Sequence, residues 1–178
     1  MKSIHRKAEL SANIAIIAVS LLLGIVVVKQ YILDGSKGRV AITKGIPVGT
    51  RISLPDVDWT KNRQTLLLVL SQGCHFCSES APFYQRLVRK TADNADVRLI
   101  AIVPPEDSES RKYLDDLGLS VDEVRKVPLS LIGVTGTPTL ILVNESGLVT
   151  GNWVGLLPPD KESEVLTKLH SDRASNSQ

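Results

Sequence analysis

The longest hydrophobic run of the chain lies close to its N-terminus. Residues 12–28 are apolar at all but three positions, and continuing to residue 33 gives a 22-residue segment. As a helix, such a segment is about 33 Å long, which matches the hydrocarbon core of a bilayer. A cleaved signal peptide is the alternative, but the run ends at Val28–Lys29 without the small residues that precede a cleavage site. The pattern therefore predicts an uncleaved transmembrane signal-anchor helix over residues 12–33, after a tail of residues 1–11.

Basic residues lie on both sides of this predicted membrane helix. Those before it are Lys2, Arg6 and Lys7, and those near or beyond its end are Lys29, Lys37 and Arg39. The positive-inside rule therefore discriminates only weakly between the two orientations. A short basic N-terminal tail is typical of the cytoplasmic side, so we predict that the remainder of the chain is extracytoplasmic, in a periplasm or on the cell surface.

After a Gly- and Ser-containing linker at residues 34–44, strand patterns and helix patterns follow one another. Short apolar runs between turn residues predict strands at 66–70, 97–103, 139–143 and 148–154, and a further short strand within 127–134. Helical spacing and capping residues predict helices at 78–92, 108–117 and 158–169. Two segments are less regular, an edge hairpin bracketed by prolines at 45–55 and an ambiguous stretch at 120–126.

This succession predicts an α/β sandwich with a mixed central sheet and flanking helices over residues 45–170, followed by a disordered tail at residues 171–178. The net charge is only +2 and aromatic residues make up 4% of the chain, so the core is predicted to be aliphatic. The predicted domain carries slightly more acidic than basic residues and has no basic stripe. We therefore expect no nucleic-acid partner.

The candidate chemistry lies in Cys74-His75-Phe76-Cys77, which contains the only two cysteines. The pair follows the first predicted strand and precedes the helix predicted from residue 78. Two sulfurs on a first helical turn can close a small disulfide, and the free N–H groups and dipole of a helix start favour a thiolate over a thiol. The pattern is typical of a redox-active pair.

Two cysteines at this spacing also occur in metal, haem and purely structural sites. Tetrahedral zinc needs four ligands, but there is no second cysteine pair and the other histidines, His5 and His170, lie near the termini. A haem attachment motif needs His directly after the second cysteine, where Ser78 stands. An inert structural disulfide is the third alternative. We predict no metal site, and no cofactor other than the redox-active Cys74–Cys77 disulfide itself.

In four features the sequence resembles the thioredoxin-like reductases of the membrane-anchored TlpA type and the related AhpC/TSA redoxins. The resemblance covers roughly residues 45–170 and rests on the cysteine pair, on Pro82 in the following helix, on Gly136-Thr137-Pro138-Thr139 before a strand, and on the turn at residues 144–147. Pro138 follows Cys77 by 61 residues. That spacing exceeds the one in plain thioredoxin and suggests the strand–helix insertion of the TlpA group.

The resemblance implies a thioredoxin-like fold and a role for each site residue. Cys74 would attack a substrate disulfide as the thiolate, and Cys77 would resolve the mixed disulfide. Pro138 would be cis and would place the Thr137 backbone where a substrate strand can pair with it. His75 and Phe76 are the other predicted substrate contacts, and His75 as an imidazolium could instead stabilise the thiolate or be a solvated filler. Pro82 would kink the active-site helix.

Two positions depart from the family pattern. Gly73 stands where familiar members have Trp, and Leu68 stands where thioredoxins have a buried Asp. Glu79 is the only acid that the sequence places near the cysteines, on the first helical turn. A negative charge there interacts favourably with the helix dipole, which explains the residue more simply than a role as a replacement for the missing Asp.

The predicted function is that of a membrane-anchored, extracytoplasmic thiol–disulfide oxidoreductase. Its partners would be protein thiols or disulfides, the membrane through residues 12–33, and a membrane electron donor or acceptor. One alternative is a thiol peroxidase using Cys74, for which Ser71 fits the Ser-x-x-Cys pattern but Leu67 replaces the usual proline. A non-catalytic binding module with this fold is the other. Whether the protein acts as an oxidant or a reductant is not predicted.

Overall fold

The computed structural model describes residues 17, 19–23, 45–92 and 94–171, and it divides into two compact units, Met1–Ile42 and Thr43–Gln178. In the first unit, residues 17 and 19–23 are helical and exposed. Across the described ranges, no helix combines the length and apolar character needed to cross a bilayer. Most of the predicted membrane helix, together with the 1–11 tail, the 34–44 linker and residues 172–178, lies outside the described residues.

A five-stranded mixed sheet is the centre of the second unit. Its strands are β1 (Gln64–Val69), β2 (Val97–Val103), β3 (Glu123–Lys126), β4 (Thr139–Asn144) and β5 (Val149–Val154), arranged in the order β3-β2-β1-β4-β5. Strands β1, β2 and β3 are parallel, whereas β4 is antiparallel to both β1 and β5. The α/β sandwich with a mixed sheet that the sequence predicted is confirmed.

Four α-helices connect or follow the strands. They are α1 (His75–Glu79), α2 (Ala81–Thr91), α3 (Ser110–Asp116) and α4 (Pro159–Ser171). Short 3-10 helices are formed by Trp59–Lys61 and Leu129–Ile132. The single helix predicted at residues 78–92 begins earlier and is divided at Ser80. Pro82 accounts for the division, because it has no N–H to donate to the carbonyl four residues earlier.

Strand β1 is buried along its whole length because both faces of the sheet are covered. Its alternate residues Leu66 and Leu68 belong to a core beneath helices α2, α3 and α4. Leu67 and Val69 belong to a second core, covered by the segment around Ile52 and by the 3-10 helix before β4. Burial on both faces explains why the strand reads as a continuous apolar run rather than an alternating one.

Several element predictions were wrong. The strand expected within 127–134 is the 3-10 helix, which ends at Gly133 with φ 71°. The 45–55 segment does not close a hairpin on itself but pairs with the β4–β5 turn, since the Ile52 N–H donates to the Gly147 carbonyl over 2.9 Å. The ambiguous 120–126 stretch contains β3, and the last helix extends to Ser171, one residue into the predicted tail.

Candidate active site at Cys74 and Cys77

Three loops, two of which carry the predicted site residues, meet at one end of the sheet. Val69, at the end of β1, pairs with Ile102 near the end of β2 and with Thr139 at the start of β4. The loops after β1, after β2 and before β4 are therefore neighbours. The first contains the two cysteines and the third contains Thr137–Pro138, so the topology brings the separate sequence motifs to the same edge.

A tight turn links β1 to the first cysteine. The Cys74 N–H donates to the Ser71 carbonyl over 3.3 Å, and Gly73, the third residue of this turn, has φ 73°. A positive φ at that position is typical of a type II turn and is strained for a residue with a side chain. The backbone conformation of the turn therefore accounts for a glycine at position 73.

Substituting Ala for Gly73 is expected to lower the free energy of unfolding by about 1 kcal/mol, the cost of a left-handed conformation for an L-residue. A Cβ at this position would meet no atom within 4 Å, so the loss would come from the backbone alone. Urea unfolding followed by circular dichroism measures it. Gly73→Asn is the matched variant and should lose less, because Asn tolerates this region better. Equal stability of wild type and Gly73→Ala would contradict the argument.

The two cysteines form a disulfide and differ in accessibility. Their Cα atoms are 5.3 Å apart, Cys74 is half-buried and Cys77 is fully buried. Cys74 precedes α1 as its N-cap, and the Cys77 backbone N–H donates to the Cys74 Sγ over 3.2 Å. After reduction, that N–H would stabilise a thiolate at Cys74. The geometry suits Cys74 as the nucleophile and Cys77 as the shielded second thiol.

The residues between the cysteines face solvent. The His75 side chain is 78% exposed, and its Nε2 lies 3.2 Å from Oε1 of Glu79. Phe76 is 53% exposed, and its ring centroid lies 5.8 Å from that of His75. Glu79 is the last residue of α1 and belongs to a pair with His75. A role of His75 toward the Cys74 thiolate stays a prediction.

The loop before β4 has the predicted proline geometry. The Thr137–Pro138 peptide bond is cis, and Pro138 is buried. The Pro138 carbonyl accepts the Gly155 N–H over 2.8 Å, which joins this loop to the end of β5. Thr137 is half-buried, and within the described part of the chain its own N–H and carbonyl have no backbone partner.

Asp107 is a site residue that the sequence interpretation missed. Its place directly before the helix predicted at 108–117 suggests a capping residue, but the cap of α3 is Glu109. The Asp107 carboxylate instead accepts the Gln72 N–H through Oδ2 over 2.8 Å. Leu68, at the usual position of the buried acid, is fully buried and apolar. The signal that could have indicated Asp107 is its place just after β2, because parallel neighbouring strands end at the same edge.

Tyr113 and Ser71 are the other polar groups connected to this loop region. The pKa of the Tyr113 phenol is raised by burial and, to a smaller extent, by the negative charge of Asp107. Ser71 donates its hydroxyl to the Gln72 carbonyl over 3.3 Å, which ties it to its own loop. Among the described residues, no three His, Cys, Asp or Glu side chains are grouped so that they could hold a metal ion.

The chain matches no family model and none of the curated proteins. Solved structures are similar to it. A protein from Chlorobium tepidum named as the thiol:disulfide interchange protein DsbE has 23% identity and a TM-score of 0.54, over 71% of this chain and 98% of that one. A thiol:disulfide interchange protein from a Bacteroides species has 16% identity and a TM-score of 0.54, over 75% and 93%. The fold is thioredoxin-like.

A thiol-disulfide oxidoreductase from Bacteroides fragilis matches this thioredoxin-like fold equally well, with 16% identity and a TM-score of 0.54 over 69% of this chain and 99% of that one. The connection between the cysteine pair and Pro138 contains, after α2, strand β2, helix α3, strand β3 and the 3-10 helix Leu129–Ile132. The strand–helix insertion that the spacing suggests stays a prediction.

Proposed function

We propose that the protein is a thiol–disulfide oxidoreductase that exchanges electrons with protein disulfides or dithiols through Cys74 and Cys77. The observation that carries the proposal is the asymmetric disulfide at the start of a helix. Cys74 is half-buried and accepts a backbone N–H at its Sγ, whereas Cys77 is inaccessible. The activities for which the similar structures from Chlorobium and Bacteroides are named support the same assignment.

In the reducing direction, the Cys74 thiolate attacks one sulfur of a substrate disulfide and displaces the other as a thiolate. The mixed disulfide between Cys74 and the substrate is then attacked by the Cys77 thiolate, which releases the second substrate sulfur. The substrate gains two electrons and takes its protons from solvent, and the protein is left with the Cys74–Cys77 disulfide. The oxidising direction is the reverse. Both need only the two cysteines and an external partner to restore the starting state.

Substrate contacts are proposed for the exposed surface around Cys74. Phe76 offers an apolar ring beside the disulfide, and His75 offers a polar edge. Thr137, before the buried Pro138, has a backbone N–H and carbonyl without backbone partners in the described part of the chain. An extended polypeptide could pair with these two groups while its cysteine reaches Cys74. The proposed substrate is accordingly a protein disulfide or dithiol in an extended segment.

The proposed location is the outer face of a membrane, with residues 12–33 as the anchor. The apolar run, its length and the lack of a cleavage site support the anchor. A disulfide-forming pair is commoner in oxidising compartments, which agrees with an extracytoplasmic domain. An anchored domain would exchange electrons with a membrane donor or acceptor.

The decisive experiment measures the redox equilibrium of the full chain in mild detergent. The protein is incubated with glutathione buffers of graded potential, and its free thiols are counted by alkylation and mass spectrometry. We expect one reversible two-electron couple between about −270 mV and −120 mV, the range from thioredoxin to the strong periplasmic oxidant. A value near the lower end would indicate a reductant, and one near the upper end a disulfide donor. A pair that never exchanges with glutathione would contradict the proposal and favour a non-catalytic binding module.

A further inference from the structure

Asp107 carries the one carboxylate that is buried within the described part of the chain, where its residue is 8% exposed. A buried charge is costly unless it is hydrogen-bonded, so its position indicates a specific partner. That partner is the backbone N–H of Gln72, two residues before Cys74. The buried acid and the redox pair are therefore connected through a single short loop.

The loop that carries Asp107 is itself fixed. The Asp107 N–H donates to the Pro104 carbonyl over 3.1 Å, directly after β2. The Ser110 hydroxyl donates to the Asp107 carbonyl over 2.6 Å, and Ser110 is buried at the start of α3. The carboxylate is thus held between a central strand and a helix, which makes it a rigid point of attachment.

The partner amide lies inside the turn that delivers Cys74. The hydrogen bond from Cys74 to Ser71 closes this turn but leaves the N–H of its second residue, Gln72, without an acceptor in the turn. Asp107 Oδ2 accepts that N–H over 2.8 Å. Because the acceptor is a carboxylate, the bond belongs to the stronger, charge-assisted class. It ties the turn to the end of β2, across 35 residues of sequence.

We propose that Asp107 is a positioning residue of the redox pair, holding Cys74 within reach of Cys77 through the Gln72 amide. The inference rests on the proposed function and extends it. In the dithiol, no covalent bond joins the two sulfurs, and the tied turn keeps them close. Without the tie, the turn gains freedom that disulfide formation must remove again, so the effective concentration of one thiol at the other falls. The disulfide is then less favoured.

The test is the equilibrium constant for disulfide formation in glutathione buffers, measured on the full chain in detergent. For Asp107→Ala we expect a fall of about tenfold, which raises the reduction potential by about 30 mV. Asp107→Asn keeps a neutral acceptor of similar shape, with a bond about half as strong, and should fall by about threefold or less. Asp115→Ala removes an exposed acid of α3 and should leave the constant unchanged.

A second variant removes the same hydrogen bond from the other side. Gln72→Pro has no N–H to donate, and proline is favoured at the second position of a type II turn. In the Gln72→Pro background, Asp107→Ala should change the equilibrium constant by less than about twofold, because the bond is already absent. An equal effect of Asp107→Ala in both backgrounds would show that Asp107 does not act through Gln72, and would overturn the inference.

Three further outcomes distinguish a failure of the positioning role of Asp107 from a failure of the proposed function. If Asp107→Ala does not fold, Asp107→Asn measured in the wild-type and Gln72→Pro backgrounds gives the same comparison with a smaller effect. A folded Asp107→Ala variant with the wild-type potential overturns the positioning role while the proposed function stands. A wild-type protein without any reversible couple overturns the proposed function itself, so the two failures are distinguishable.

Discussion

Cys74→Ser is expected to lose disulfide reduction by roughly a thousandfold or more, because a serine hydroxyl is not ionised at neutral pH and cannot replace the nucleophilic thiolate. The remaining sulfur, in Cys77, is fully buried and cannot reach a protein disulfide. The assay follows reduction of a model protein disulfide with dithiothreitol as the electron source. Ser78→Ala, an exposed position directly after the pair, is the control and should keep wild-type activity.

Substitution of the second cysteine separates the attack on the substrate disulfide from the release of the substrate. Cys77→Ser keeps the accessible Cys74, so it should still attack the substrate but should not release it. A covalent Cys74–substrate adduct is therefore expected to accumulate and to disappear on addition of excess dithiothreitol, as seen on non-reducing gels. A Cys74→Ser variant that retained most of the activity, or that formed such adducts through Cys77, would contradict the assigned order of attack.

Leu68→Ala is expected to lower the free energy of unfolding by about 2–5 kcal/mol, the usual cost of truncating a fully buried Leu. Leu68 is the penultimate residue of β1, between Ala101 of β2 and Leu140 of β4, and it belongs to the same core as Cys77. The loss combines the missing apolar contacts with the cavity that neighbouring strands cannot fill. Urea unfolding of the oxidised protein measures this loss. The slope of the unfolding free energy against urea concentration is expected to stay the same.

Leu131→Ala is the matched control for this substitution. The Leu131 side chain lies in the 3-10 helix before β4 and is 50% exposed, so its truncation should change the free energy of unfolding by about 0.5 kcal/mol or less. Similar losses for the two leucines would show that Leu68 is not part of a tightly packed core.

The elements predicted correctly are those whose own residues specify them. Strand β2 was predicted at its observed bounds, because an aliphatic run between polar segments has few alternatives to a buried strand. The helix predicted at residues 108–117 is present as α3, and Gly118, with φ 69°, follows its C-cap residue Leu117. The pairing of Cys74 with Cys77 followed from the spacing of the two cysteines, which is a local property. The cis bond before Pro138 was implied by the resemblance to the thioredoxin-like family.

The wrong or incomplete predictions concern segments whose structure depends on a distant partner. Strand β3 is short and largely charged, and it becomes a strand only because it pairs with the outer edge of β2. The 45–55 segment finds its hydrogen bonds at the β4–β5 turn rather than within itself. Neither partner can be read from a local pattern, since backbone hydrogen bonds between distant segments leave no periodicity in the sequence.

The sequence by itself determined the central strands, the cysteine pair at a strand-to-helix junction and the proline loop, because apolar periodicity and turn chemistry are local properties. Only the tertiary structure decided how deeply each cysteine is buried, where Thr137 lies and which amide Asp107 binds. The bond from Gln72 to Asp107 joins residues 35 positions apart. It exists because β1 and β2 run parallel and end side by side, and no local pattern specifies that meeting.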